Sequence, residues 1–374
     1  MRRIPIRMKL AAALVVPLLA LVTVTSLKVV DAAAEAQTVR DQVALAEISL
    51  GPSGVLSAIE EERNAVGVHL LGQADAFTLR VEDPAEAAQI TDEAIATFRA
   101  EVERQGPDIV AAYAPAFESM AGLAELRADV DTTPDAERTL ANIEAVSVNF
   151  DGYSAVVDSL ARVNRRVALA IDDPDLRQGA ELVDLNSHQT NLVAILVREL
   201  FMAQLGGPAD GVNTPREIFS VARKLDDLRT GWDRMAGKAT GPYVPLVEDL
   251  LAAEEVQAFP QVVQDALDTG EADIPDLITY AANDDPETLS YTVFGEAAKD
   301  VVLEQAADLT EAAESRQRSL VAMAVTALVV AGLVAWLVSR SITRPLRSLT
   351  RQAKDMAERR LPDAVIDILE TPLG

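Results

Sequence analysis

Apolar residues along this chain recur every three and four positions and hardly ever every second one. Val156, Leu160, Val163, Val167 and Ile171 show the spacing, which places them on one stripe of a helix and argues against strands. Helix starts are written repeatedly. Asp83-Pro84, Thr133-Pro134, Asp173-Pro174, Thr214-Pro215 and Asp285-Pro286 each set a capping side chain ahead of a proline suited to the first helical position. Glu86 and Glu217, three residues after their caps, complete capping boxes. Breaks at Gly51-Pro52, Gly106-Pro107, Gly206-Gly207-Pro208, Gly241-Pro242 and Gly270 separate the segments. The pattern predicts long helices near 10–48, 54–80, 134–171, 174–205 and 286–338, with shorter ones between, and hence an all-α protein.

Two stretches are free of charge over the thickness of a bilayer. The first, Leu10 to Leu27, lies between Lys9 and Lys28; the second, Ser319 to Ser339, lies between Arg318 and Arg340. At helical rise they cover about 27 Å and about 31 Å. The first also has features of a signal peptide, with Arg2, Arg3 and Arg7 ahead of it and Ala32-Ala33-Ala34 behind. Its apolar run is longer than an ordinary secretory core, which favours a retained span.

Basic residues set the expected orientation. Residues 1–28 carry a charge of +5 and residues 340–374 carry +2, so the whole-chain charge of -26 leaves -33 for the region between. Positive flanks face the cytoplasm. The chain is therefore expected to be a two-pass membrane protein with both termini in the cytoplasm. Its parts would be a cytoplasmic N-terminus (1–9), a first span (10–27), an extracytoplasmic helical sensor region of two stacked bundles (28–318), a second span (319–339) and a cytoplasmic segment (340–374). An acidic chain of this kind lacks the basic footprint that nucleic acid requires. There is no cysteine and there are two histidines, His69 and His188. No nucleophile–base pair or metal constellation can be assembled from such residues, so neither a cofactor nor a catalytic site is expected. The two histidines are assigned no role.

After the second span, Ile342, Leu346, Leu349, Ala353 and Met356 follow a four, three, four, three spacing, the seam of a short parallel coiled coil. Pro345 stands where a helix can restart. This segment resembles the first helix of a HAMP linker, carried by Pro345, Leu346, Leu349 and Ala353, and that resemblance implies signal relay in a homodimer. A second HAMP helix would only be beginning at Ala364 to Leu369. Ala327, Ala331 and Ala335 share one face of the second span and permit close helix approach, which suggests a dimer seam.

Two arginines stand on apolar faces. Arg63 is flanked by Leu56, Ile59, Val66 and Leu70, and Arg198 by Ala194, Ile195, Met202 and Leu205. A guanidinium cannot lose its proton and needs an acceptor, either a protein carboxylate or a bound anion. The helices around them, SAIEEERNAVGVHLLG and LVAILVRELFMAQL, together with the two spans and the HAMP-like exit, resemble the nitrate- and nitrite-sensing domain of bacterial sensor histidine kinases and receptors. That resemblance covers roughly residues 45–300. It implies that Arg63 and Arg198 meet nitrate or nitrite, and that movement passes to a cytoplasmic kinase module and its response regulator. Glu62-Arg63 matches the family's Glu-Arg motif; at Arg198 the preceding residue is Val197, and the acid, Glu199, follows instead. A chemoreceptor-like sensor of another small ligand and a ligand-free membrane-anchored bundle are the alternatives, and internal ion pairs are the alternative role for the two arginines.

Overall fold

The computed structural model describes residues 6–71, 83–132, 143–205, 215–272 and 290–355, and all regular structure among them is helical. The helices are α1 (Ile6–Leu50), α2 (Pro52–Leu71), α3 (Pro84–Arg104), α4 (Pro107–Ala121), α5 (Leu123–Thr132), α6 (Ile143–Leu169), α7 (Pro174–Leu205), α8 (Pro215–Lys238), α9 (Tyr243–Ala252), α10 (Glu254–Thr269) and α11 (Ser290–Asp355). The expected breaks at 51, 106, 241 and 270 all separate helices. Asp83 caps α3 by accepting the Ala85 N–H at 2.8 Å, and Asp173 caps α7 by accepting from Asp175 and Leu176. The expected starts at Thr133, Thr214 and Asp285 lie outside the described residues, as does the expected stretch of helix beyond Leu71. Gly270 closes α10 with φ 78° and donates to Ala266, a left-handed cap that residues with a side chain rarely adopt.

One expectation is revised. The last helix was expected to end near 338 and restart at Pro345, yet α11 runs without a break from Ser290 to Asp355. A proline removes one intrahelical hydrogen bond and bends a helix more readily than it ends one when both sides favour the helix. Pro345, Leu346, Leu349 and Ala353 all fall on α11, with their side chains outside the described set; Met356 and the segment at 364–369 also lie outside it.

The chain divides into two compact units, Val39–Thr310 and Met1–Thr38 with Glu311–Gly374. The first unit holds two apolar clusters. In one, Val55, Ile59 and Val66 of α2 meet Phe98 and Val102 of α3, Tyr113 and Met120 of α4, and Tyr153, Val157 and Leu160 of α6. In the other, Leu182, Leu196 and Leu200 of α7 meet Leu225 and Leu228 of α8, Val247 of α9, Phe259 and Val263 of α10, and Phe294, Ala298 and Val302 of α11. Each fully buried aliphatic side chain contributes about 1.5–3 kcal/mol relative to exposure, so the three-four spacing is what pays for the fold. Close approach needs a missing side chain at Gly179, where a Cβ would stand 2.2 Å from both the Tyr243 hydroxyl and Val302 Cγ2.

The second unit contains two helical segments long and apolar enough to cross a membrane. Leu19, Val24, Leu27 and Val30 of α1 are exposed, as are Val325, Val329, Leu333 and Trp336 of α11. The less exposed positions are Leu18, Val22, Thr25, Val29, Ala32 and Ala36 on α1, and Ala324, Ala327, Ala331 and Ala335 on α11. Arg316 of α11 pairs with Glu35 of α1. The alanine face read from the sequence as a dimer seam is thus partly covered within one chain. Hydroxyls inside these segments are satisfied locally: Thr23 donates to Leu19 O, Thr25 to Leu21 O and Thr326 to Ala322 O.

Candidate functional site

Helices α2, α6 and α7 pack on one another within the larger unit, and both arginines singled out by the sequence lie among them. Arg63 projects from α2 and is fully buried; Arg198 projects from α7 with its side chain 19% exposed. Their guanidinium carbons lie 4.2 Å and 4.5 Å from the centroid of one ring, Phe150 of α6. Sharing that ring bounds their separation below the sum of the two distances. Burial, joined by the positive charge of Arg198, pulls the Arg63 guanidinium below its ordinary pKa, while Glu60 and Asp158 oppose the shift.

The hydrogen bonds of Arg63 are unequal. Nη1 donates to Asn191 Oδ1 of α7 at 3.0 Å and to Ser154 Oγ of α6 at 3.2 Å. Nε and Nη2 are buried without a partner, and Arg198 Nε is in the same state. On a guanidinium, Nε and Nη2 share the edge whose N–H bonds run parallel, the edge that grips a planar oxyanion through two bonds. An unmet buried donor costs about 1–3 kcal/mol, and a cation–π contact returns about 0.5–2 kcal/mol. The ring by itself does not offset the idle donors.

The expectation of internal ion pairs divides between the two arginines. Arg63 has no carboxylate within ion-pair distance among the described residues. Arg198 Nη2 lies 3.3 Å from Asp151 Oδ1, whose side chain is 68% exposed, and 4.0 Å from Glu199 Oε1. Glu199 is engaged by Lys224 of α8. The acid that follows Arg198 in the sequence is thus committed to another helix.

Beside Arg63 stands a network that ties α2 to α3, α5 and α6. Glu62, fully buried, receives Arg127 of α5 through two bonds, Nε to Oε1 at 2.6 Å and Nη2 to Oε2 at 2.9 Å. Tyr153 of α6 donates to the same carboxylate at 2.7 Å, and Arg127 Nη1 reaches Asp92 of α3 at 2.9 Å. Burial pushes the Glu62 carboxyl up, but the hydrogen bonds from Arg127 and Tyr153 outweigh it and hold the group below the usual carboxylate range. The tyrosine hydroxyl moves up, through burial first and the bonded carboxylate second. Successive residues of α2 thus meet successive residues of α6, Glu62 with Tyr153 and Arg63 with Ser154. One turn before Arg63, half-buried Glu60 has its carboxyl pushed up to about 7, mainly by burial; Arg63 draws it down and Glu61 up.

The sequence singles out the two arginines that the structure places on one ring, but not Phe150, Ser154, Asn191 or Arg127 around them. Partial signals existed: Phe150 and Ser154 are four apart, and Asn191 and Arg198 seven apart, spacings that share a helix face. Nothing in the sequence pairs one helix with another. His69 on α2 is half-buried and His188 on α7 exposed, and neither is among the contacts of this cluster.

These features define a helical-bundle domain with a buried cationic cluster where three helices meet. Residues 54–187 match the family model for nitrate and nitrite sensing, a segment that contains Glu62, Arg63, Phe150 and Ser154 and stops before Asn191 and Arg198. The solved structure of the NasR transcription antiterminator is similar over 89% of this chain and 90% of that chain, with a TM-score of 0.56 and 16% sequence identity, a likeness of fold. No curated protein matches the chain.

Proposed function

We propose that the chain is a transmembrane sensor whose larger unit binds nitrate or nitrite between Arg63 and Arg198. The observation that carries the reading is the idle, buried Nε–Nη2 edge of Arg63 and the idle, buried Nε of Arg198 on two guanidiniums that share one ring. A planar anion with charge spread over its oxygens accepts two parallel bonds from such an edge and more from the second arginine, without a metal. The match of residues 54–187 to the nitrate and nitrite sensing family supports the ligand class. With the anion absent, two like charges stand against one ring, and the positive charge of Arg198 acts on Arg63. With it bound, their repulsion is screened and their donors are met, so the anion favours the arrangement in which α2 and α7 are drawn together. Its differential affinity for that arrangement is the free energy that shifts the populations.

The exposed apolar segments of α1 and α11 support a membrane location, since contiguous apolar surface of that length is otherwise costly in water. Both helices also contribute to the apolar core of the sensing unit, through Val43 and Ala46 on α1 and Phe294 and Ala298 on α11. A shift in that core therefore has a helical route to the membrane and, through Pro345, Leu346, Leu349 and Ala353, to a cytoplasmic output of the histidine kinase class working as a homodimer.

Calorimetric titration of the full chain in lipid nanodiscs with nitrate, nitrite, chloride and sulfate tests the ligand. Saturable heat with nitrate or nitrite that disappears in Arg63→Ala and in Arg198→Ala is the expected result. A folded chain that takes up neither anion refutes it.

A further inference from the structure

We infer that Phe150 is the positioning residue of the anion site: its ring holds the Arg63 and Arg198 guanidiniums near one another, so that the unmet Nε–Nη2 edge of Arg63 and the unmet Nε of Arg198 serve one anion. The inference rests on the anion reading above and adds to it the group that keeps both cations at one place before the anion arrives.

Two guanidiniums brought together in a buried place repel each other, and no carboxylate is bonded to Arg63 among the described residues. What both meet is one aromatic ring, at 4.2 Å and 4.5 Å from its centroid. The face of a benzene ring carries the negative part of its quadrupole and attracts cations placed over it, without using any of their N–H bonds. That second property separates the ring from a carboxylate. A carboxylate would consume the Nε–Nη2 edge of Arg63 and close the site, whereas the ring leaves the edge idle, as observed.

The backbone around Phe150 supports the role. Phe150 is buried, and its carbonyl accepts the Ser154 hydroxyl at 2.8 Å while Ser154 Oγ accepts from Arg63 Nη1 at 3.2 Å. Ring, hydroxyl and guanidinium are therefore fixed by a single turn of α6. Tyr153, in the same turn, is bonded to Glu62, the neighbour of Arg63. Asn191 holds the other Nη1 proton from α7. The ring is thus carried by the turn of α6 that also meets α2 through Ser154 and Tyr153.

The test varies the charge on the ring face and leaves its shape nearly unchanged. Phe150 is replaced, in the full chain in nanodiscs, by phenylalanine carrying one, two or three ring fluorines, each of which weakens the negative face, and nitrate is titrated by calorimetry. The dissociation constant should rise stepwise with fluorine count, roughly tenfold across the series. Phe150→Trp should bind nitrate within about threefold of the parent, since indole has the strongest cation-attracting face, and Phe150→Leu should bind it more weakly than any aromatic variant. Thermal melts of every variant identify losses that come from unfolding, and the fluorinated series retains the packing that Phe150→Leu removes. A flat fluorine series in a chain whose nitrate binding is abolished by Arg63→Ala and by Arg198→Ala overturns the role of Phe150 and leaves the anion site standing. A parent chain that takes up no nitrate or nitrite overturns both.

Discussion

The chemistry of single residues in this protein turns on what burial does to charge. Glu62 and Glu60 are two residues apart on α2 and shifted in opposite senses, because Glu62 has Arg127 and Tyr153 on its oxygens while burial dominates at Glu60. A carboxyl raised to about 7 in the folded state adds stability that is complete below the unfolded value and is lost as pH climbs through about 7. Glu60→Gln removes that dependence, so the melting temperature of the variant should gain on the parent between pH 5 and pH 8. The same carboxyl stands one turn from Arg63, and in its charged form it repels an incoming anion. Nitrate should therefore bind more weakly at pH 8 than at pH 6, by about three- to tenfold, with the difference reduced in Glu60→Gln. Calorimetry at the two values checks it, and an equal pH dependence in both proteins counts against this role for Glu60.

At the scale of elements, helix boundaries follow local chemistry and helix contacts follow what the side chains leave room for. Asp83 and Asp173 cap their helices as their sequences foretell, and Gly270 ends α10 in a left-handed turn. The meeting of α7 with α9 and α11 is different in kind, because it depends on Gly179 having no side chain on a helix where alanine would otherwise be favoured. Gly179→Val should cost about 1–3 kcal/mol through overpacking against Tyr243 and Val302. Gly54→Ala, on α2 with open space around its Cβ position, should be neutral or stabilising by up to about 1 kcal/mol. Thermal melts of the two variants give the comparison, and equal losses would show that the close approach at Gly179 is not what limits the packing.

At the scale of the whole molecule, the prediction is topological. From the basic flanks of both apolar segments and the acidic middle we predict that both ends face the cytoplasm and that the acidic middle lies outside. An externally active reporter inserted within residues 208–213 and a cytoplasm-active one fused after Gly374 should both be functional. Loss of activity from either, in a chain that reaches the membrane, would reverse or break that arrangement. The alanine face at 327, 331 and 335, partly covered inside one chain, gives that apolar segment a packing surface before any second copy is considered.

What the sequence by itself determined is what short-range chemistry encodes. The three-four spacing specified helices, the Asp-Pro pairs placed starts at Pro84 and Pro174, the charge-free runs marked segments fit for a bilayer, and the isolation of Arg63 and Arg198 among apolar neighbours marked them as arginines in need of an acceptor. Only the tertiary structure decided that the two share one ring, that Ser154 and Asn191 take one nitrogen of Arg63 and leave its bidentate edge unmet, and that Arg127 comes from a distant helix to neutralise Glu62. Each of these depends on a crossing of helices separated by tens of residues. The three-four periodicity of one helix states which face is buried, but not which helix it is buried against.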